Sequence, residues 1–274
     1  VTGQQGMIPL ASPANRQARL VADIIAGQDR TYTGAQGTSI AKIFDMSAAS
    51  TGASEKSLKA AGIPYRKSYT FSASHAGYYP GGTSMQVKLL YTPEGRVLGG
   101  QITGYDGVDK RIDQIATAVR HGFTVYDLQE LELAYAPPFS SAKDPVNMAG
   151  YAASNVVEGA FKPFYLEDLD TLPEDAQLVD VRTPGEYAMG TIGNAVNIPV
   201  DELRERIGEL DAGRKVYLFC QVGLRGYIAQ RIAEQHGLDT VNLSGGYRLY
   251  EAAQLDRQGM ASTEKEYEYC GMEK

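Results

Sequence analysis

The residues best suited to chemistry lie in one short segment around Cys220. An apolar run, Val216 to Phe219, predicts a buried strand that ends at this cysteine. A short glycine-containing loop leads on into a helical pattern with Ile228, Ile232 and Ala233 on one face. A thiol placed there faces the N–H groups of the loop and the positive end of the helix, and both favour a thiolate or another sulfur anion. The pattern therefore predicts a nucleophilic cysteine.

The spacing between Cys220 and Arg225 narrows this chemistry. Four residues separate them, so the loop is one residue shorter than the Cys-x5-Arg cradle of cysteine phosphatases. A smaller ring of amides suits the terminal sulfur of a persulfide better than a tetrahedral phosphate. The alternative is a buried structural cysteine in an α/β sheet, which is the commonest role of a free thiol.

Three further blocks accompany this loop, and they are Asp180 to Tyr187, Gly190 to Pro199 and Val241 to Tyr247. Together and in this order they resemble the rhodanese (sulfurtransferase) domain over roughly residues 160 to 262. The resemblance implies an α/β fold with a central, mostly parallel sheet. The Gly-His-Ile usual in that family reads Gly190-Thr191-Ile192 here, and the aromatic residue expected after the Gly-Gly pair is Tyr247 or Tyr250.

The rhodanese resemblance assigns roles to the residues of the loop. It implies that Cys220 carries a persulfide and that Arg225 adds positive charge beside it. It also implies that Asp180 and Arg182 lie at the adjacent strand end and support the loop. The loop residues whose amides surround the sulfur are Gln221, Val222, Gly223, Leu224 and Gly226.

Composition limits the partners of the chain. Its 274 residues are enough for about two domains, and 43% hydrophobic with 22% charged residues is typical of a globular protein. The net charge of −7, without a basic stripe, argues against nucleic acid. No apolar run approaches the ~20 residues of a membrane span, and no signal peptide opens the sequence.

The cysteines and histidines suggest a reducing compartment and no metal. Two cysteines, Cys220 and Cys270, cannot form a disulfide framework, so we expect a cytoplasmic protein. The histidines at His75, His121 and His236 lack the spacing of metal ligands, and we interpret them as surface or structural residues.

Residues 31 to 153 have the mixed pattern of an α+β domain. The predicted strands are Ser39 to Met46, Tyr65 to Ser72, and a hairpin of Met85 to Tyr91 with Val97 to Thr103. The predicted helices are Ser54 to Gly62, Asp109 to His121 and Val125 to Leu131, after an opening helix from Arg16 to Ala26. A lone helix as short as the opening one needs something to pack on. On the helix from Asp109 we interpret Lys110 and Arg111 as a solvated face.

Two strings in this segment, Gly107 to Asp113 and Leu131 to Asn147, closely resemble one family. It is the dimerisation domain of flavin-dependent pyridine nucleotide-disulfide oxidoreductases, in the branch of coenzyme A-disulfide reductases and NADH oxidases. A dimerisation domain followed by a rhodanese domain is the arrangement of the coenzyme A-disulfide and polysulfide reductases. The resemblance implies a homodimer, FAD and NAD(P)H as cofactors, and coenzyme A with persulfide, polysulfide or thiosulfate as substrates.

This second resemblance also assigns residues. It implies that Tyr135, together with Tyr78 or its neighbour Tyr79, reaches toward the thiol site of the partner subunit, where a phenol can donate a proton to a leaving thiolate. The segments implied to approach the flavin are Pro13, Ala14 and Asn15 at the start of the opening helix, and Pro137, Pro138 and Phe139 in an extended loop.

The expected organisation is a flavin-domain helix in 1–30, the dimerisation domain in 31–153, a linker in 154–159, the rhodanese domain in 160–262 and a tail in 263–274. No Gly-x-Gly-x-x-Gly follows a strand, so we interpret the chain as the C-terminal part of a longer reductase. By itself it is expected to keep the sulfurtransferase activity alone. Two alternatives remain, a stand-alone sulfurtransferase without redox activity and a dimerisation scaffold with a silent sulfur site.

Overall fold

The protein consists of two compact units, each built around its own sheet. The computed structural model describes residues 1–3 and 5–269, with side chains as far as residue 259. The first unit is Val1–Val157 and the second begins at Glu158. The first sheet is antiparallel and the second is parallel, which confirms the predicted order of an α+β unit followed by an α/β unit.

The first unit is a five-stranded sheet with helices, as far as the described residues show. Its strands are β1 Ser39–Ile43, β2 Met46–Gly52, β3 Arg66–Ala73, β4 Ser84–Tyr91 and β5 Val97–Gly104, in the order β1-β2-β5-β4-β3. Its helices are α1 Ala11–Ile25, α2 Glu55–Ala61, α3 Val108–His121, α4 Val125–Glu130 and α5 Pro145–Val157. Helix α3 packs on β5 and β2, and α5 packs on β3.

Local signals explain several of these elements. The hairpin of β4 and β5 turns at Gly95, whose φ of 100° suits glycine and whose N–H donates to the Thr92 carbonyl at 2.9 Å. Helix α2 begins with a capping box of Ser54 and Ser57 and ends at Gly62 in the left-handed region. Both predictions are confirmed.

The strand predicted from Ser39 to Met46 is wrong in its extent. It ends at Ile43, and a two-residue turn leads into β2, which pairs Met46 with Ile43. Phe44 makes this turn with a φ of 52°, a conformation unusual for a bulky residue. The turn lacks the Asn-Gly or Gly-Gly pair that would mark it in sequence, so the reversal and the strand β2 were missed.

Helix α3 corrects the interpretation of its charged residues. Lys110 is exposed, but Arg111 is only 1% exposed and lies on the same face as Ile112 and Ile115. A buried guanidinium requires polar partners, which periodicity alone does not reveal. Arg111 is therefore a core residue of the first unit and not part of a solvated face.

No residue of helix α1 is buried in this unit. It begins at Ala11, five residues before the predicted Arg16, because Pro13 falls in the first turn, where a missing N–H costs little. Its apolar side chains Val21, Ile24 and Ile25 are 53%, 48% and 82% exposed.

The second unit is a parallel five-stranded sheet within the described residues. Its strands are β6 Pro163–Phe164, β7 Gln177–Asp180, β8 Val196–Asn197, β9 Val216–Phe219 and β10 Thr240–Leu243, in the order β6-β10-β9-β7-β8. Its helices are α6 Leu166–Leu169, α7 Pro184–Ala188, α8 Leu203–Arg206, a 3-10 turn at Ile207–Glu209, α9 Leu224–Gln235 and α10 Gly246–Tyr269. Among the described residues no helix combines the length and the apolar composition that a membrane span requires.

Strand β9 lies at the centre of this sheet and is covered on both faces. Leu218 packs with one core cluster and Phe219 with the other, and both are 0% exposed. Burying a side chain of this size contributes about 2 kcal/mol. The short apolar run before Cys220 is thus a central strand, as predicted, and it delivers the cysteine to the carboxyl edge of the sheet.

Two predicted boundaries fall inside helices. The linker predicted at 154–159 overlaps helix α5, which ends at Val157. The end of the rhodanese domain predicted at 262 lies within α10, which continues to Tyr269. The remainder of the predicted tail, with Cys270, lies outside the described residues.

Candidate active site

Cys220 follows β9 directly, and its sulfur is held by the loop that precedes α9. The Sγ atom accepts a hydrogen bond from the N–H of Gly223 at 3.1 Å. Gly223 has a φ of 112°, which suits glycine, and α9 begins at the next residue, Leu224. The amide and the positive helix end both favour negative charge on sulfur. Cys220 itself is 1% exposed, a burial that a structural cysteine would share.

The remaining predicted loop residues differ in their surroundings. Gln221 and Val222 are half-buried, and the side chain of Leu224 is 60% exposed. Gly226 is buried against Asn242, and a Cβ there would lie 2.2 Å from the side-chain oxygen of Asn242. Glycine at 226 therefore permits close packing of α9 on β10.

The start of helix α10 holds the backbone of the cysteine loop. The N–H groups of Tyr247 and Arg248 donate to the carbonyls of Cys220 and Gln221 at 2.8 and 2.9 Å. Gly246, at a φ of 61°, approaches so closely that a Cβ would lie 2.4 Å from the Cys220 carbonyl oxygen. This close approach explains why the third sequence block has a glycine at position 246.

Asp180 and Arg182 form a buried ion pair beside the loop. The guanidinium donates from Nε to Asp180 Oδ1 at 3.0 Å and from Nη2 to Oδ2 at 2.7 Å, and both side chains are at most 2% exposed. Arg182 also donates from Nη1 to Gln221 Oε1 at 3.2 Å and from Nη2 to the Gly190 carbonyl. Its guanidinium lies 3.9 Å from the ring centre of Tyr247, in a cation–π arrangement. The ion pair thus connects the end of β7 to the cysteine loop, which is the position expected for these two residues.

Thr191 replaces the histidine usual at its position, and it contacts the same carboxylate. Its hydroxyl donates to Asp180 Oδ2 at 3.0 Å. A carboxylate buried at 0% exposure needs such donors. Thr191 therefore supplies one of the donors that satisfy the buried carboxylate beneath the loop.

Arg225 forms an ion pair with Glu186, a residue that was not predicted to belong to the site. Its Nη1 and Nη2 atoms both donate to the carboxylate of Glu186 at 2.7 Å. The hydrogen bonds from Arg225, with those from Thr183, lower the pKa of Glu186 to about 2. The Glu186 carboxylate in turn raises the pKa of Arg225, and negative charge at Cys220 adds to this effect. The predicted positive charge beside the cysteine is therefore largely neutralised.

The sequence does contain a weak signal for Glu186. Thr183-x-x-Glu186 is a capping box, and in the structure each of its two residues accepts a hydrogen bond from the backbone N–H of the other, at the start of α7. The motif identifies a helix start, but it does not indicate that the same carboxylate binds Arg225.

In the first unit, the structure brings together the two predicted tyrosines. The hydroxyls of Tyr78 and Tyr135 lie 3.1 Å apart and share a hydrogen bond, although the side chains are 77% and 47% exposed. This hydrogen bond raises the pKa of Tyr135. Tyr79 instead packs edge-on against the ring of His75, at 5.7 Å between ring centres. The geometry favours Tyr78 over Tyr79 as the partner of Tyr135.

The residues implied to approach a flavin occupy two separate places in this unit. Pro137, Pro138 and Phe139 form a turn that is closed by the Phe139 N–H on the Ala136 carbonyl at 2.8 Å, so the prediction of an extended loop is wrong. Pro13, Ala14 and Asn15 lie in the first turns of α1. The Asn15 side-chain amide donates to the Ala11 carbonyl at 2.9 Å.

Comparison with known proteins identifies both units. A model of the pyridine nucleotide-disulphide oxidoreductase dimerisation domain matches residues 38–145, and a model of the rhodanese-like domain matches residues 165–253. The chain is 40% identical over 148 residues to a coenzyme A disulfide reductase of Staphylococcus aureus (strain bovine RF122 / ET3-1). That match covers 53% of this chain and 33% of the relative.

Two solved structures resemble almost the whole chain. The structure of reduced Bacillus anthracis CoADR-RHD superposes with a TM-score of 0.91 at 48% identity, over 94% of this chain and 47% of that protein. The structure of an NAD-dependent persulfide reductase from A. fulgidus superposes with a TM-score of 0.81 at 34% identity, over 90% of this chain and 45% of that one. The chain thus spans a third to a half of the length of these relatives.

Proposed function

We propose that Cys220 carries sulfane sulfur as a persulfide in a coenzyme A disulfide or persulfide reductase. This chain belongs to the family of such reductases that join a dimerisation domain to a rhodanese domain. The substrates proposed are coenzyme A disulfide, persulfide and polysulfide, with thiosulfate as a further sulfur donor. The chain would act as a homodimer together with FAD and NAD(P)H.

The observation that carries this proposal is the hydrogen bond from the Gly223 amide to Cys220 Sγ at 3.1 Å. It supports a sulfur anion at the start of α9, beside the guanidinium of Arg225. A purely structural cysteine needs no such amide donor.

The proposed sulfur transfer requires two displacements at sulfur. The Cys220 thiolate attacks the outer sulfur of thiosulfate, a bond forms between Sγ and that sulfur, and sulfite leaves with the electron pair of the broken S–S bond. An acceptor such as cyanide then attacks the terminal sulfur, leaves as thiocyanate and returns the thiolate. The Gly223 amide stabilises the anion before and after the transfer, because it already donates to Sγ.

The proposed redox role places Tyr135 and Tyr78 near a thiolate leaving group of the partner subunit. Their hydroxyls share a hydrogen bond of 3.1 Å, which raises the pKa of Tyr135. A phenol is protonated at neutral pH in any case, so this pair can offer a proton to the leaving thiolate. Lengthening or losing this bond would weaken the pairing but leave Cys220, in the other unit, unchanged.

The start of α1 suits the edge of a flavin. Its first turn contains no acidic side chain, so nothing there opposes negative charge at the positive end of the helix dipole. Bound FAD would supply two-electron transfer from NAD(P)H. Pro13, Ala14 and Asn15, with the turn of Pro137 to Phe139, are the residues of this chain proposed to lie against it.

Mass spectrometry after treatment with polysulfide, together with a thiosulfate:cyanide sulfurtransferase assay, tests Cys220. We expect one added sulfur on Cys220, and we expect Cys220→Ala to lose both the adduct and the activity. Cys270→Ala, which removes the other cysteine, is the matched control and should retain both. Activity that persists in Cys220→Ala would reject Cys220 as the carrier, and an intact Cys220 without added sulfur would favour a scaffold with a silent site.

A further inference from the structure

We propose that the buried ion pair of Arg111 and Asp144 positions Tyr78 against Tyr135, and that these two residues, with Ser140, act as positioning residues for the tyrosine pair. The proposal rests on the proposed function insofar as that function gives the tyrosines a role. Its geometric content, that one buried guanidinium sets the distance between two exposed phenols, stands on contacts within the first unit.

The tyrosines belong to two loops that are distant in sequence. Tyr78 lies in residues 74–83, between β3 and β4, and Tyr135 lies in residues 131–144, between α4 and α5. Both side chains are exposed, so water competes for each hydroxyl. The separation of 3.1 Å therefore depends on what holds the two loops beneath them.

Arg111 reaches both loops from helix α3. Its Nη2 donates to the Ser74 carbonyl at 2.9 Å and to Ser140 Oγ at 3.1 Å. Its Nε donates to Asp144 Oδ2 at 3.1 Å, and Nη2 lies 3.0 Å from the same oxygen. The Arg111 and Asp144 side chains are 2% and 1% exposed. A single guanidinium thus binds the base of the Tyr78 loop and the end of the Tyr135 loop.

The two loops also contact each other at this point. The Ala76 N–H donates to the Ser140 carbonyl at 2.9 Å, and Ser140 Oγ donates to Asp144 Oδ2 at 2.7 Å. The base of the Tyr78 loop is closed by the Ser74 N–H on the Thr83 carbonyl at 2.8 Å. Tyr78 is therefore two residues from a backbone bond between the loops, and its position follows that of Ser140.

The charges make this arrangement cooperative. A buried guanidinium and a buried carboxylate are stable only when each donor and acceptor is satisfied, and here the partners come from both loops and from α5. Asp144 Oδ1 accepts from the Val146 N–H at 3.0 Å at the start of α5. Lys110, one residue before Arg111, donates to the carbonyl of Ala134 at 3.5 Å, next to Tyr135. Loss of one partner at the guanidinium would loosen both loops together.

The test uses mild variants in the full chain. Ser140→Ala removes the hydroxyl that joins Arg111 to Asp144, and Ser140→Cys replaces it with a weaker donor of similar size. Arg111→Lys keeps the charge, but an ammonium group cannot bind Asp144 and both loops in the geometry of a guanidinium. Thr51→Val is the matched control, because Thr51 is 2% exposed and bonds to Thr38 Oγ1 at 2.7 Å, away from both loops.

The readout is the ionisation of Tyr135, monitored by 19F NMR of the protein labelled with 3-fluorotyrosine. The variants Tyr78→Phe and Tyr135→Phe assign the signals of the two tyrosines. In the unaltered chain Tyr135 should titrate at higher pH than it does in Tyr78→Phe. In Ser140→Ala, Ser140→Cys and Arg111→Lys, the pH at which Tyr135 titrates should fall to the value found in Tyr78→Phe. In Thr51→Val this pH should stay unchanged, even if that variant is less stable than the unaltered chain.

An unchanged Tyr135 titration in folded Ser140→Ala or Ser140→Cys would overturn the proposal, and so would a Tyr78→Phe chain that leaves Tyr135 unaffected. If the Ser140 variants do not fold, Arg111→Lys decides in the same way. None of these measurements requires sulfur on Cys220. A negative result therefore leaves the proposed function standing, and a failure of sulfur loading leaves this positioning role standing.

Discussion

Arg225 and Glu186 form the ion pair that controls the charge at the candidate sulfur site. Two hydrogen bonds of 2.7 Å join them, and the side chains are 31% and 33% exposed. A pair this accessible contributes about 0.5 kcal/mol to folding. Its effect on the field beside Cys220 is the more consequential one, because it sets how strongly the loop attracts an anionic sulfur donor.

Glu186→Gln is expected to accelerate the loading of Cys220 by thiosulfate, a dianion. Removing the carboxylate leaves the Arg225 charge uncompensated, and we expect a roughly two- to fivefold rise at low salt that shrinks at high salt. The measurement is the rate of persulfide formation by mass spectrometry at two ionic strengths. Glu209→Gln, which breaks another exposed ion pair of the same unit, with Arg206, is the control.

Stability as a function of pH supplies a second readout of the same substitution. The pKa of Glu186 lies at about 2 in the folded chain, below the ordinary value of 4.5. The ion pair therefore stabilises the protein above about pH 4.5, and this contribution is lost as the pH falls toward 2. The free energies of unfolding of the unaltered chain and of Glu186→Gln should differ near neutral pH and converge in acid.

The loading rate distinguishes two roles of Glu186. If thiosulfate loads Cys220 more slowly in Glu186→Gln, then Glu186 serves mainly to hold Arg225 in place.

At the scale of elements, the cysteine loop is held between the ends of β9, α9 and α10. The start of α10 donates two backbone hydrogen bonds to the loop, and this requires Gly246 close to the Cys220 carbonyl. The loop geometry therefore depends on a helix that begins 26 residues later in the sequence.

Gly246→Ala is expected to impair the loop more than it impairs the fold. The added Cβ at a φ of 61° would meet the Cys220 carbonyl oxygen at 2.4 Å, so we expect a loss of about 1–3 kcal/mol in stability and of most sulfur loading. Gly237→Ala is the matched control, because its φ of 84° also lies in the left-handed region but no atom lies within 4 Å of its Cβ. Chemical denaturation and the persulfide assay measure the two effects. Equal sulfur loading in both variants would contradict the role assigned to α10.

Capped and periodic elements were predictable from sequence, and unusual turns were not. Helix α2, with Ser54 and Gly62 at its ends, and the hairpin of β4 and β5 were predicted closely, because caps and alternation are local signals. The reversal at Phe44 and the turn from Pro137 were not, because pairing with β2 and the contacts of the Ser140 loop determine them. Local preference gave way there to tertiary contacts.

At the scale of the whole molecule, the chain combines a unit that matches a dimerisation domain with a unit that matches a rhodanese-like domain. The similar solved structures are about twice as long as this chain. We expect the chain by itself to accept sulfur on Cys220 and to show no oxidation of NAD(P)H in the presence of polysulfide, measured by nicotinamide absorbance. Nicotinamide oxidation that depends on the purified chain would contradict the expectation that this chain alone does not oxidise NAD(P)H.

The sequence by itself determined the two fold classes, the strand that ends at Cys220 and the resemblance of each unit to a domain family, because periodicity and ordered motifs lie in neighbouring residues. Only the tertiary structure decided which charges and hydroxyls meet. Arg225 finds Glu186 across 39 residues, Arg111 finds Asp144 across 33, and Tyr78 finds Tyr135 across 57. Such contacts depend on the packing of separate elements, and the spacing of residues along the chain does not encode them.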